Sequence, residues 1–375
     1  MSRILFLVSS MQGGGAERVA ALLSNHWVAH GHEVILMPTF SGRGECLYPL
    51  DERVRLEYLA DRVGTTRKTP WSIVRRLLAM RSMVHEWRPD GVVSFLPHVN
   101  VAAILAAWGL KVPVMVSERI YPPAMPLRPV WPRLRRWTYP WAATVVMQTR
   151  RGADWLAGEC PRARGAVIPN PCVYPLPLAQ PRLAPEDWVG PARRVVLAVG
   201  RLDEQKGFAG LLDAFTRLAT RFRDWDLVIL GEGEERMALA ARIEKQGLAG
   251  RVVLPGRVGN PGDWYRRAEL YVMSSRFEGF PNTLVEAMAH GVPAVSFDCE
   301  TGPAEILRDG VDGYLVPPEQ GADGLVRAMA VLMEDDETRR SMGNAAVAVR
   351  ERFSPERVMA AWDGVLGLNK ESGDA

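Results

Sequence analysis

LYVMSSRFEGFPNTLVEAMAH, residues 270 to 290, passes from an apolar run through a polar loop into a helix. Leu270 to Met273 reads as a strand buried on both faces, because its apolar residues are continuous rather than alternating. The loop is broken by Gly279 and Pro281, and Thr283 to His290 follows with helical spacing. A strand feeding a helix in this way is half of a β-α-β unit and predicts a parallel sheet.

The same alternation runs outward in both directions. Upstream, strands are expected at 195–199, 227–230 and 251–254, with helices near 208–221 and 234–246. Downstream, a strand follows at 294–297. The first half repeats the scheme. Strands are expected at 4–8, 34–37, 92–95, 112–116 and 144–147, a strand end at 166–168, and helices at 16–29 and 99–108. Eight prolines between Pro161 and Pro191 separate the halves, and proline breaks both helices and central strands. The expected layout is an α/β chain of two doubly wound, Rossmann-like domains facing a central cleft. Residues 1–180 form the first domain, with a linker about 169–191. Residues 192–353 form the second, and 354–375 a C-terminal helix and tail that could cross back to the first.

Composition is that of an ordinary globular protein: 375 residues, 47% hydrophobic, 24% charged, net charge +3. No global field points to nucleic acid. The four cysteines form no CxxC and sit at no metal-ligand spacing with histidine, which reads as reduced thiols. The N-terminal run Ile4 to Val8 is too short for an export signal. No apolar stretch reaches the roughly 18 residues of a membrane span.

Several strand ends carry groups suited to chemistry. After 270–273 come Glu278, Gly279 and the helix start, whose free N–H groups and dipole suit a diphosphate. Thr283 and Glu286 also stand at the T-x-x-E spacing of a capping box, which needs no ligand. Glu278 has no such structural explanation. After 195–199 comes Gly200-Arg201-Leu202-Asp203-Glu204-Gln205-Lys206-Gly207, with two cations able to offset charge on a leaving diphosphate. After 4–8 comes Gln12-Gly13-Gly14-Gly15-Ala16-Glu17-Arg18, which lacks the third glycine of a dinucleotide fingerprint. Gly256-Arg257 and Gly231-Glu232-Gly233 close two further strands, and His98 and Arg119 follow two in the first half. Asp224-Trp225-Asp226 is literally a D-x-D, but its place before a strand reads as a helix-to-strand turn rather than a metal site.

The run E-G-F-P-N-T-L-V-E, 278–286, resembles the E-x7-E signature of the GT-B retaining glycosyltransferases called family 4. The G-R-x4-K-G pattern and the Gly-Gly-Ala-Glu-Arg start resemble the same family. The resemblance extends over nearly the full chain. It implies that Arg201, Lys206 and Glu278 are catalytic, with Glu278 meeting the donor hexose. Gly14, Gly15, Arg119, Arg257, Phe280, Asn282, Thr283, Leu284 and Glu286 would contact the donor, Glu286 at the ribose. Arg18 and His98 would face the acceptor. Many members have histidine near position 119, so Arg119 departs from the pattern. Within the family the chain looks most like α-1,4-N-acetylgalactosaminyltransferases that extend undecaprenyl-diphosphate oligosaccharides, on Ser94-Phe95-Leu96 and Ile168-Pro169-Asn170-Pro171 as well. That implies a UDP-sugar co-substrate, no metal or other cofactor, and a polyprenyl-diphosphate-linked acceptor. Same-fold alternatives are a sugar-nucleotide epimerase or a phosphorylase. A non-catalytic nucleotide-sugar-binding membrane adaptor is the alternative of another class.

Two stretches add a partner. Residues 67–88 carry six basic residues and one acid, with Trp71 and Trp87 interleaved. Residues 128–141 carry four arginines, three tryptophans and no acid. Basic, tryptophan-bearing amphipathic segments suit an anionic membrane surface; solvated helices with core tryptophans are the alternative. The expected location is cytoplasmic, peripheral at the inner face of the membrane.

Overall fold

The computed structural model describes residues 1–42, 44, 46–65, 69–124 and 128–368, and the chain divides into two compact units. The first takes Met1–Pro171 together with the chain from Glu356 onward; the second takes Cys172–Pro355.

The strands of the first unit are β1 (Arg3–Val8), β2 (Glu33–Pro38), β3 (Arg55–Leu56), β4 (Gly91–Phe95), β5 (Val114–Ser117), β6 (Thr144–Met147) and β7 (Gly165–Val167). Among the described residues they form one parallel sheet of order β3-β2-β1-β4-β5-β6-β7. Its helices are α1 (Gly15–Ala29), α2 (Leu59–Val63), α3 (Pro70–Trp87), α4 (Pro97–Ala107), α5 (Val130–Thr138) and α6 (Arg150–Glu159). Strand β1 shows why its apolar run is unbroken. Leu5 and Leu7 enter the core on one face of the sheet, and Ile4, Phe6 and Val8 enter the core on the other.

The second core is completed from the far end of the sequence. The C-terminal helix, Pro355–Leu366, places Val358, Met359 and Trp362 among Phe6, Trp27 and Phe95. Trp362 is fully buried, 5.7 Å from Phe95 between ring centroids. Burying about 150–250 Å² of aromatic surface contributes roughly 4–6 kcal/mol as an upper figure. Asp363 adds direction: its carboxylate accepts from Trp27 Nε1 at 2.9 Å and lies 3.0 Å from His26 Nε2.

The second unit has β8 (Arg194–Val199), β9 (Trp225–Leu230), β10 (Val252–Gly256), β11 (Leu270–Met273), β12 (Ala294–Phe297) and β13 (Gly313–Val316), parallel, in the order β10-β9-β8-β11-β12-β13. Around it lie α7 (Phe208–Ala219), α8 (Arg236–Lys245), α9 (Pro261–Arg267) and α10 (Asn282–Ala289), with further helices after Pro303. Both units thus have the doubly wound strand order in which the sheet reverses direction beside its first strand.

Three expectations change. Strands β3, of two residues, and β13, with only Tyr314 to Val316 apolar, are too short as apolar runs to stand out and are absent from the sequence reading. The basic stretches lose cations to the interior. Arg76 is buried and donates to the carbonyl oxygens of Thr39 and Thr65, and Arg135 is buried on Glu118 at 2.8 Å. Both follow helical periodicity inward and hold their helices in place. Arg67 and Lys68 lie outside the described residues. The D-x-D turn is in part a strand: β9 begins at Trp225, and Asp226 is held by Arg193 and Arg251 at 2.5 and 2.9 Å. No helix among the described residues is long and apolar enough to cross a membrane.

Replacing Asp363 by alanine removes both anchors of the C-terminal helix, and stability in urea falls by about 1–3 kcal/mol at neutral pH. Burial alone raises this carboxyl's pKa, but bonds from His26 and Trp27 outweigh burial and hold it below the usual value. A depressed folded-state pKa confers stability above the unfolded value that is lost as pH falls through the folded one. The difference between wild type and Asp363→Ala therefore closes below about pH 4 in the same urea titrations.

Candidate active site

In the second unit the sheet reverses between β8 and β11, and in such sheets the crevice at the carboxyl ends of those two strands is where ligands bind. The loops that leave these strands are 200–207 and 274–281. Three hydrogen bonds stitch them together: Ser274 Oγ to the Lys206 carbonyl at 2.8 Å, the Arg276 amide to the Gln205 carbonyl at 2.8 Å, and Gln205 Nε2 to the Phe277 carbonyl at 2.9 Å. The approach is close enough to require glycine. A Cβ on Gly207, whose φ is +63°, would lie 2.4 Å from the Ser274 carbonyl oxygen.

The stitching brings Lys206 and Glu278 together across the reversal point. Lys206 Nζ is 2.6 Å from Glu278 Oε1, and the two side chains keep 15% and 9% of their surface exposed. The Glu278 carbonyl is fixed by Thr301 Oγ1 at 2.6 Å. Nearby, burial first and then the charge of Glu278 push the Cys299 thiol up to about 12, so it stays protonated. Arg201 is mostly exposed and pairs with Asp203 at 3.2 Å, leaving Lys206 as the cation in contact with Glu278.

Helix α10 begins at Asn282 after Pro281, one residue ahead of the expected start. Thr283 therefore lies inside the first turn and accepts the Tyr271 hydroxyl at 2.8 Å; the expected capping box does not form. Glu286 is buried and accepts from the Tyr265 hydroxyl at 3.0 Å. Tyr265 stacks on His290, whose Nδ1 lies 2.7 Å from the Glu286 carbonyl oxygen. Phe280 and Leu284 turn into the core, Phe280 against Phe353, so they can line a ligand through the main chain alone. Arg257 is exposed beyond β10. Gly256 lies so near Glu232 that a Cβ there would be 2.8 Å from Oε1.

The first unit gathers its candidates at the corresponding strand ends. Tyr48, unread in the sequence, donates its hydroxyl to the Gly14 carbonyl at 2.9 Å. Gly14 and Gly15 lead into α1, and Arg18 sits half-buried in its first turn. His98, in the first turn of α4, packs edge-on against Trp131 at 4.1 Å. Glu118 and Arg119 part company at the end of β5. Glu118 runs back to Arg135 and Tyr139, while Arg119 lies over Phe95 and donates to Asn170. Burial pulls the Arg119 pKa down to about 9, opposed by the charge of Glu17.

Two family models fit the chain in succession: Glycosyltransferase Family 4 over residues 13–172 and Glycosyl transferases group 1 over residues 189–349. The chain belongs to the GT-B glycosyltransferases. An amylovoran biosynthesis glycosyltransferase of Erwinia amylovora is 28% identical over 98% of this chain and 100% of its own. A Campylobacter jejuni α-1,4-N-acetyl-D-galactosaminyltransferase, named for a diphosphoundecaprenol-linked GalNAc acceptor, is 27% identical over 96% and 97%. Among solved structures, Anabaena HepE in complex with UDP and glucose superposes with a TM-score of 0.78 at 19% identity, covering 98% of this chain and 100% of that one. This GT-B enzyme thus belongs with glycosyltransferases of polysaccharide and lipid-linked glycan biosynthesis.

Lys206→Ala leaves Glu278 a largely buried charge without its cation and destabilises the fold. Glu278→Gln in the same chain relieves much of that loss. A double-mutant cycle in denaturant is expected to give a coupling of about 1–3 kcal/mol between the two positions.

Proposed function

We propose that the enzyme transfers a hexose or N-acetylhexosamine, with GalNAc the first choice, from a UDP-sugar to a saccharide carried on a polyprenyl diphosphate. It does so with retention of anomeric configuration and without a metal. The product belongs to bacterial surface glycan or glycoprotein glycan assembly. The observation that carries the proposal is the Lys206–Glu278 contact at the reversal point of the nucleotide-binding type of sheet.

In this reading the donor diphosphate lies at the amino end of α10, whose first-turn N–H groups and dipole favour an anion. Lys206 then faces two anions, Glu278 and the diphosphate. Charge that develops on the leaving phosphate draws the ammonium toward it, and Glu278 keeps its oxygens on the sugar hydroxyls. A cation already placed there costs no reorganisation during bond breaking, which is how preorganised charge accelerates a reaction. Arg201 on its exposed loop adds a second cation. Acceptor attack from the face that the diphosphate leaves gives retention, the departing phosphate oxygen taking the hydroxyl proton. Glu286, its plane set by Tyr265, holds the ribose. Arg119 serves the donor sugar, and Arg18 and His98 serve the acceptor.

The Campylobacter relative's lipid-linked acceptor supports the acceptor class. Work at the inner face of the cytoplasmic membrane is supported by what the two basic stretches expose. Helix α3 turns Trp71, Ile73, Val74 and Leu78 outward, beside Arg75 and Arg81. Trp137 in the last turn of α5 and Trp141 just after it form an exposed cluster with Trp108 at centroid distances of 3.9–5.5 Å. Half-exposed tryptophans beside arginines suit the headgroup layer.

The test is UDP release from a panel of UDP-sugars, with and without membrane lipid extract, followed by mass spectrometry and anomeric analysis of the product. Acceptor-dependent release with retention is expected, unchanged by EDTA. Glu278→Ala is expected to lose at least about a hundredfold in kcat/KM. Full activity in Glu278→Ala, or loss of activity in EDTA restored by a divalent cation, overturns the assignment.

A further inference from the structure

At the carboxyl edge of the first unit's sheet, four buried polar side chains gather, and two of them keep an atom that the fold leaves unpaired among the described residues. Glu17 follows β1, Arg119 follows β5, Gln148 follows β6 and Asn170 follows β7; all four are at least nine-tenths buried. Asn170 Oδ1 is their hub, accepting from Arg119 Nη2 and from Gln148 Nε2 at 2.8 Å. Because that oxygen takes protons from both neighbours, the Gln148 amide must present its nitrogen to Asn170 and its oxygen elsewhere. Among the described residues, two buried atoms around the hub have no partner: Arg119 Nε and Gln148 Oε1. Glu17, held by Ser10 Oγ at 3.1 Å, lies near enough to Arg119 for their charges to act on each other. A Cβ on Gly14 would fall 2.4 Å from Glu17 Oε2, so the loop backbone closes over the carboxylate.

The unmatched pair is one donor and one acceptor. An anion satisfies Arg119 Nε but not Gln148 Oε1, and Glu17 repels it. A cation satisfies Gln148 but meets Arg119. A neutral hydroxyl both donates and accepts, and so suits an unpaired donor and an unpaired acceptor alike. Leaving each such atom buried and unpaired is unfavourable, and a ligand hydroxyl removes that cost on binding. We propose that Glu17, Arg119 and Gln148 form a hydroxyl-binding subsite for a neutral saccharide. The saccharide is either the sugar of the donor or the accepting sugar, and this choice of ligand rests on the transferase reading above.

Calorimetric titration of wild type and Gln148→Met with UDP, with UDP-GalNAc and with undecaprenyl-diphosphate-GalNAc separates the sources. In Gln148→Met, UDP affinity stays within about twofold, and one of the two saccharide ligands binds about tenfold more weakly, the loss of one hydroxyl partner. Weaker UDP-GalNAc assigns the subsite to the donor sugar, in keeping with the role proposed for Arg119; weaker lipid-linked GalNAc assigns it to the acceptor and moves Arg119 there with it. If all three affinities stay within twofold, the position holds only water and the proposal is overturned while the transferase reading stands. If wild type binds none of the three, that reading falls and takes the saccharide with it. Should Gln148→Met fail to fold, Arg119→Lys, which deletes Nε and keeps the charge, is read by the same criteria.

Discussion

A parallel sheet covered on both faces leaves little room for charge along its strands. Past their first residues, Arg3 and Arg194, every inward and outward position of β1 and β8 is occupied by an apolar side chain, so groups able to do chemistry are confined to the strand ends. The two strand ends beside the reversal of winding are the ones whose loops diverge to opposite faces. That constraint, more than any single contact, places Lys206 against Glu278. Their loops leave neighbouring strands, are sewn together through main-chain carbonyls, and have little freedom to be anywhere else. The first unit obeys the same rule with different residues. Glu17, Arg119, Gln148 and Asn170 gather over its strand ends because the sheet interior excludes them.

Much of this was legible in the sequence, for a physical reason. A strand buried on both faces writes itself as a continuous apolar run, and the polar loop that ends such a run marks the strand end by composition alone. Glu278, Lys206, Glu286 and Arg119 stand out in this way. Strand β13 does not, since Gly313-Tyr314-Leu315-Val316 is half-buried and follows a polar turn. The capping box failed for a different reason. Thr283 has the right spacing to Glu286, but Pro281 starts the helix early, and Tyr271, far from it in the chain, takes its hydroxyl. Partnerships of that kind leave no local trace. Tyr265 on Glu286 and Gln148 on Asn170 join residues about twenty apart whose types alone are unremarkable.

Charge counting met the same limit. The basic stretches of the first unit look uniform as composition. In the fold, Arg76 and Arg135 serve as internal struts, Arg76 bonding main-chain carbonyl oxygens and Arg135 a buried carboxylate. Arg75, Arg133 and their exposed neighbours are the ones left for a surface. Periodicity separates the two kinds only when the direction of the core is known, and tryptophan, equally at home inside or at an interface, does not supply it.

The C-terminal helix has one more implication, concerning the order in which the molecule can be made. Most of the first unit is made before the second, yet one face of its core is closed by Trp362 and tied by Asp363. Until the helix Pro355–Leu366 is synthesised, the surfaces of Phe6, Trp27 and Phe95 lack that cover, while the second unit has the described strands of its sheet already in hand. Domains usually fold in the order of synthesis. Here the unit that starts first is finished last. A fragment cut after Pro171 would therefore be an open half-core, and a faithful isolated first domain has to carry residues 356–368 grafted back onto it.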